Sequence, residues 1–509
     1  MRPTSRLRRD RATPAPQEDR RKLRGTPSSA RTQAGYTGVA ARRRRARARR
    51  LRGRLRLLVV SLIVCCLVGL ALADAGDPVG PYVAPPASVA SCHKPGVRCG
   101  LVQRRAASYR AAALAKLPAG AVLNAATQGM HELLGFDDPN NPLRWDPSTG
   151  LWGGYTSYGI SNNHSDWWQS AIATWTLVRF LEATGSTDPA YQDVLDRTFE
   201  LNVSKPGSKA PINFGNQYMD DTAWWGLAWT EAARYELNVR GDTALAARYL
   251  AVAEWDENYI ARAPRSCGGI VWKLGYPSDT ISNAEFAALS AELYAVRHAP
   301  GPLHDGARAT RWLGEARWAV SYLQLTALVN LARGSVRDGL TRTCRPAGGQ
   351  FTYSEGEVAD ALIQMGAALH DNSYFALART FLNYTMWSAS GMSHGGVLQE
   401  YCESGRHRCH SLRQFDVSSF KGIFVQAVAD YDLATHTHTY RTWLLAQAGA
   451  ILSRATSDGA GHQSRCATPH GCEFGMYWSR NISPASAPVP VSLATQTSGL
   501  QALTGALVG

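Results

Sequence analysis

Three patterns are missing from this 509-residue chain. Long runs of alternating polar and apolar residues are scarce, which excludes a sandwich or barrel of half-buried strands. No C-x-x-C pair occurs, and the histidines do not cluster with the cysteines at ligand spacing, so a structural metal site is not expected. No fixed repeat period appears, which argues against a helical solenoid. Acidic residues are scarce in one place: residues 1–56 hold three against 20 Arg and Lys. The net charge of +14 therefore belongs to this tail, because 34 basic and 37 acidic residues lie beyond it. A basic domain suggests nucleic acid. Here only the tail, with ARRRRARARR at 41–50, carries that signal, and no nucleic-acid partner is expected.

The segment after the tail points to a membrane instead. Residues 57–73, LLVVSLIVCCLVGLALA, form an uncharged apolar run. As a helix these 17 residues span roughly 25 Å, marginally enough for a hydrocarbon core of about 30 Å. The preceding Arg excess leaves the N-terminus cytosolic and everything after Asp74 extracellular or lumenal. A signal peptide cut after Ala-Leu-Ala at 71–73 would release the protein; a signal anchor would tether it. The long leader favours the anchor, and no methionine between residues 1 and 130 offers another start.

Cysteine use agrees with export. Cys65 and Cys66 lie in the apolar run, and eight more cysteines come after it. An even number beyond a membrane signal suggests disulfides. Close spacing makes Cys92–Cys99, Cys402–Cys409 and Cys466–Cys472 natural pairs and leaves Cys267 with Cys344, although sequence does not fix connectivity. N-x-S/T sequons at Asn163, Asn202, Asn383 and Asn481 also suit an exported domain.

Beyond a Pro/Gly/Ser-rich stalk at 74–104, helical periodicity recurs. It predicts helices near 105–117, 165–184, 188–202, 220–239, 242–262, 282–297, 308–332, 356–370, 373–388, 419–434, 438–454 and 489–505. About twelve helices joined by Gly/Pro/Asn-rich loops predict an all-α toroid of helical hairpins. The catalytic domain is expected over 105–482, with a C-terminal tail at 483–509. That tail begins as a linker and is too poor in Leu, Ile and Val for a GPI signal. A monomer is expected.

Chemistry concentrates in NQYMDDTAWWGLAWTE at 216–231. Cleaving a glycosidic bond needs two carboxyl groups flanking one oxygen, with apolar faces on which sugar rings stack. Asp220 and Asp221 head a helical pattern that carries Trp224, Trp225 and Trp229. An arbitrary Asp pair in a first helical turn more often serves the cap and the helix dipole. Three Trp in six residues weigh against that bland role, since each buried indole N–H needs a partner.

The segment YMDDTAWWGLAW resembles the catalytic segment of glycoside hydrolase family 76, the endo-α-1,6-mannanases and their fungal cell-wall relatives. CGGIVWKLGY from Cys267, TISNAEFAALSAELY, FTYSEGEVADAL from Phe351, VLQEYCE from Val397 and DVSSFKGIFVQAV from Asp416 come in the family's order. The resemblance covers roughly residues 120–480. It implies an (α/α)6 barrel and a retaining mechanism in which Asp220 is the nucleophile and Asp221 the general acid/base, with no metal or cofactor. The substrate it implies is α-mannan, or the mannose core of a GPI glycan if the enzyme is a transglycosidase. A mannan-binding relative without turnover is the non-enzymatic alternative. Trp167, Trp168, Tyr218, Trp224 and Trp225 are candidate stacking residues, each more often core when taken alone. Tyr353 and Asp416 sit in family motifs expected near the cleft; Asp416 suits a helix cap equally. Ser354-Glu355 stands where many members have Asn-Gln, and Val417 where a Gln is common. The extra carboxylate of Glu355 is expected to bear on acceptor choice or on the catalytic pKa values.

Overall fold

Helices alternate along the chain between an inner and an outer layer. The computed structural model describes residues 120–136, 145–156, 159–161, 167–203, 212–387, 390–404, 409, 416–457, 466, 472–480, 482 and 487–508. The basic tail, the apolar run, the stalk, the helix expected at 105–117 and the Cys92–Cys99 pair lie outside these residues. Among the described residues no helix is long and apolar enough to cross a membrane.

Twelve α-helices are described: α1 Ala121–Leu134, α2 Trp167–Thr184, α3 Pro189–Asn202, α4 Met219–Tyr235, α5 Thr243–Ala261, α6 Ile281–His298, α7 Gly306–Leu325, α8 Thr352–Leu369, α9 Asn372–Trp387, α10 Phe420–Thr435, α11 Arg441–Arg454 and α12 Leu493–Val508. The even-numbered helices pack in a closed ring, each on the next and α12 back on α2. Odd-numbered helices lie outside this ring. α5, α7 and α9 pack against the inner helices that precede them, and α1 and α11 pack against α12. Tyr191, Val194, Leu195 and Phe199 bury the apolar face of α3. This is the expected two-layer toroid.

Outer helices α3, α5 and α7 start with aspartate caps: Asp188, Asp242 and Asp305 accept from the N–H groups of Ala190, Leu245 and Arg308 at 2.9, 2.9 and 3.1 Å. The residues at the N-caps of inner helices α4, α6, α8 and α10 (Tyr218, Thr280, Phe351 and Ser419) make no side-chain cap.

Two expectations need correction. Residues 483–509 are not a tail: α12 is buried along nearly its whole length and completes the ring. Its poverty in large aliphatic residues reflects crowding: Ser498 lies against Gly422, Gly499 against the Phe474 ring, and Gly505 against Val425 and Ala429. The helix expected over 308–332 ends at Leu325, where Thr326 turns extended. Leu328 and Val329 are buried by a short pairing of Val329–Asn330 with Ser335–Val336 rather than by more helix. Short antiparallel pairs of this kind recur between the helices, where sequence periodicity is silent.

Disulfides join Cys267–Cys344, Cys402–Cys409 and Cys466–Cys472. Of the sequons, Asn163 and Asn481 lie outside the described residues. The Asn202 amide nitrogen, the atom a glycan would occupy, already donates to the Thr149 and Thr198 carbonyls at 2.9 and 3.0 Å.

Inner-ring contacts leave no room for side chains at their closest points. A Cβ added to Gly422 of α10 would meet the Ser498 Cα of α12 at 2.5 Å and its carbonyl oxygen at 2.7 Å. Gly422→Ala is therefore expected to lower stability by about 1–3 kcal/mol. Denaturant unfolding should register this as a lower midpoint with an unchanged slope.

Candidate active site

The inner helices run in one direction, so their N-termini meet at one mouth. Trp167 and Trp168 of α2, Asp220 and Asp221 of α4, Tyr353 of α8 and Phe420 of α10 all stand in first turns, and all line one cleft of about 760 Å³. Residues three or four turns further along the same helices, Arg179, Arg234, Ile363 and Asp430, line a separate cavity. That cavity therefore lies toward the opposite end of the ring.

The segment before α4 is folded to serve its first turn. The Asn216 side-chain amide donates to Asp221 Oδ2 at 2.7 Å, while its own oxygen accepts from the Tyr218 N–H at 2.7 Å. Residues 217–219 also pair with the loop after Ile270. The Met219 N–H donates to the Trp272 carbonyl at 2.8 Å, the Leu274 N–H to the Gln217 carbonyl at 3.2 Å, and Tyr218 bridges Lys273. This pairing carries Trp272 over the carboxylates, where its indole N–H donates to Asp220 Oδ2 at 2.9 Å. Each catalytic candidate is thus gripped by its own donor from a different segment. Lys273 donates to the Tyr218 hydroxyl at 2.8 Å, fixing that ring.

Burial sets the electrostatics of Asp220. Burial pushes the Asp220 carboxyl up to about 7, against the lowering effect of the Trp272 N–H and of first-turn backbone N–H groups; the nearby Asp416 charge pushes the same way as burial. Two more carboxylates share the cleft. Asp279 is raised well above the ordinary range by burial and then by the Asp220 charge. Asp338 is raised by burial, while a hydrogen bond from the Tyr353 hydroxyl at 3.2 Å opposes the shift. Tyr353 lies flat on Phe420, with ring centroids 3.9 Å apart and planes at 15°.

Of the candidates that the sequence suggests, Trp167, Trp168, Tyr218, Asp220, Asp221, Trp224, Tyr353 and Asp416 line the cleft. Trp225 does not. It is fully buried among Trp167, Phe214 and Trp229, one turn deeper than Asp221 on the same face of α4. The N-cap position before the Phe-Lys-Gly-Ile-Phe helix belongs to Ser419, and Asp416 faces the cleft. Glu355 also departs from expectation: it is fully buried, accepts from the Val336 N–H at 3.0 Å, and holds the 335–336 strand rather than the substrate space. Val417 is buried as well. Asn216, Trp272, Tyr276, Asp279 and Asp338 also line the cleft, and the sequence does not single them out. Trp272 and Tyr276 carry the nearest thing to a signal, since both fall in the family segment CGGIVWKLGY.

A cleft of carboxylates and aromatic faces at one mouth of a closed helical ring is suited to holding a glycan between two acids. The sequence model of glycosyl hydrolase family 76 matches residues 145–508, and the chain belongs to that family. Among solved structures it is similar to the GH76A α-1,6-mannanase from Salegentibacter sp. HEL1_6, at 19% identity and TM-score 0.55, over 76% of this chain and 98% of that one. An inactive variant of that mannanase, with two consecutive aspartates changed to alanine and α-1,6-mannotetrose bound, is similar at 18% identity and TM-score 0.56, over 75% and 98%. Dfg5 from Chaetomium thermophilum in complex with glucosamine is similar at 21% identity and TM-score 0.57, over 77% and 91%. No curated protein matches the chain.

The core position of Trp225 has a measurable consequence. Trp225→Ala is expected to cost about 3–5 kcal/mol of folding stability. Denaturant unfolding should record that loss, whereas a ring that served only to stack on sugar would leave stability nearly unchanged.

Proposed function

We propose that the protein is a retaining glycosidase that cleaves α-1,6-mannosidic linkages within mannan chains. The observation that carries this reading is the Asp220–Asp221 pair at the head of α4, each carboxyl held by a separate donor inside an aromatic cleft. The mannanase relative supports the substrate class, and its inactive variant lacking two consecutive aspartates supports the role of such a pair.

In this reading Asp220 attacks the anomeric carbon as Asp221 gives its proton to the leaving oxygen, and the glycosidic C–O bond breaks. A covalent glycosyl ester on Asp220 results. Asp221, now ionised, takes a proton from the incoming acceptor, whose oxygen displaces Asp220 and restores both carboxyls. Water as acceptor gives hydrolysis; a sugar hydroxyl gives transglycosylation. The Dfg5 neighbour, which binds glucosamine, supports a carbohydrate ligand for this fold; a GPI glycan as donor of the second outcome is what the family resemblance implies. Residues 57–73, behind their Arg-rich tail, support a membrane tether with the catalytic unit outside or in the lumen.

Incubating the full-length protein with linear α-1,6-mannan and weighing the products separates these outcomes. Shorter chains alone mean a hydrolase, and chains longer than the starting material mean a transglycosidase. Asp220→Ala should abolish turnover; retained turnover sinks the assignment. Asp221→Ala should cost about 10²–10⁴-fold and be partly restored by azide, which needs no proton removed.

The nucleophile must be ionised, so kcat/KM should rise with pH through about 7. Asp416→Asn removes a charge that raises the Asp220 pKa and should move this limb to lower pH. Trp272→Phe removes a donor that lowers it and should move the limb up. Shifts in the reverse directions would contradict the ionised role given to Asp220.

A further inference from the structure

A second cavity shares a wall with the cleft. It holds about 440 Å³ and lies between the C-terminal end of outer helix α5 and the loop that carries Trp272. The shared wall is the backbone pairing of residues 217–219 with 272–274. On one side Trp272 and Tyr276 face the carboxylates; on the other Met219 and Leu274 face the second cavity. The cavity's far side is formed by Trp255 and Tyr259, one turn apart on α5. Their rings are stacked, with centroids 5.2 Å apart and planes at 16°. Both rings are half-buried, and the exposed Arg262 stands a turn further on.

The wall itself is unusual for a soluble surface. Trp272, Leu274 and Tyr276 are 36%, 45% and 47% exposed, so three large apolar side chains crowd one turn. Contiguous exposed apolar side chains commonly mark a binding surface. A continuous path of apolar faces therefore runs from Asp220, across the Trp272–Tyr276 turn, to the Trp255–Tyr259 pair. Flat aromatic faces beside a hydrogen-bond donor suit a sugar ring, whose C–H face is apolar and whose edge carries hydroxyls.

We infer that the Trp255–Tyr259 cavity is a distal saccharide subsite, which takes a sugar residue of the same polymer after the chain has left the cleft over the Trp272–Tyr276 turn. The inference rests on the glycan-cleaving function proposed above. It gives the enzyme a grip on long chains that short oligomers cannot reach.

The test compares two ligands on the full-length Asp220→Asn protein: mannotriose, short enough for the cleft alone, and long-chain α-1,6-mannan. Adding Trp255→Ala, and separately Tyr259→Ala, should weaken mannan binding by about tenfold while leaving mannotriose affinity unchanged. Trp255→Phe, which keeps a flat ring, should retain most of the mannan affinity. Equal losses for both ligands, or no loss for either, would overturn the subsite. Wild-type turnover keeps the two failures apart. If mannan is cleaved and the ratio of affinities does not move, only the subsite falls. If mannan is not cleaved and mannotriose does not bind, the proposed function falls and the subsite with it.

Discussion

The arrangement depends on six inner helices that run the same way around a closed ring. The helices pack closely, with the backbone of α10 against Gly356 of α8, that of α12 against Gly422 of α10, and the Leu289 side chain of α6 against Gly226 of α4. Once the ring closes, the inner N-termini must converge on one mouth. Capping carboxylates are spent on outer helices α3, α5 and α7, while inner helices α4, α6, α8 and α10 start without side-chain caps. The resulting positive field favours ionised carboxylates in the mouth, while burial opposes ionisation. At Asp220 burial outweighs the hydrogen bonds that favour the charge, and the carboxyl is pushed up to about 7.

The other half of the ring solves a different problem. Its interior holds Arg179, paired with Glu231 and Asp430, and Arg234, paired with Glu231. Burial alone pushes Glu231 up, yet the two guanidinium groups hold it well below the usual carboxylate range. Glu231 thus contributes stability at neutral pH that is lost as pH falls through its depressed folded value. Glu292, raised by burial to about 8, has the opposite linkage: its contribution is present in acid and is lost as pH rises through that value. The ion pairs are walled into the ring wherever no substrate is expected, and the mouth keeps the carboxylates that face open space. Removing one partner of such a buried pair is costly because it strands a charge.

Much of this is legible in the chain. Helix periodicity, loop composition and the DD-x-A-W-W segment point to the toroid and the carboxylate pair, because amphipathic helices advertise both their length and their buried face. Two kinds of feature are illegible. One is the place of α12: periodicity marks a helix near 489–505, but small residues usually mean a weak core, and LATQTSGLQALTGALV does not announce that it belongs in the crowded ring. The other is the set of residues assembled by loops. Asp279 and Asp338 reach the cleft because residues 279 and 339 bridge, and Trp272 because residues 217–219 pair with its loop. No sequence spacing encodes a contact made across such a distance. Glu355 is the converse case: a carboxylate in a family motif reads as chemistry, yet the rotation of α8 turns it away from the cleft to hold a backbone N–H.

Neighbouring aspartates on one helix are chemically identical, so any division of a reaction between them must come from their surroundings. On an α-helix successive side chains diverge by about 100°, so Asp220 and Asp221 leave α4 toward different walls of the cleft. The two walls differ. Asp220 finds an indole N–H from Trp272, on a loop beyond α5, with Asp416 and Asp279 close enough to raise the cost of its charge. Asp221 finds an amide from Asn216, five residues before it, locked by its own bond to the Tyr218 N–H. One carboxyl answers to distant parts of the fold and the other to its own entry loop. The Trp272 side chain therefore acts directly on Asp220, and the Asn216 amide on Asp221. Trp272 and Tyr276 of the same turn also line the cleft, so the donor to Asp220 is itself part of the cleft wall. The division of labour comes from where the two donors are anchored, not from any difference between the aspartates.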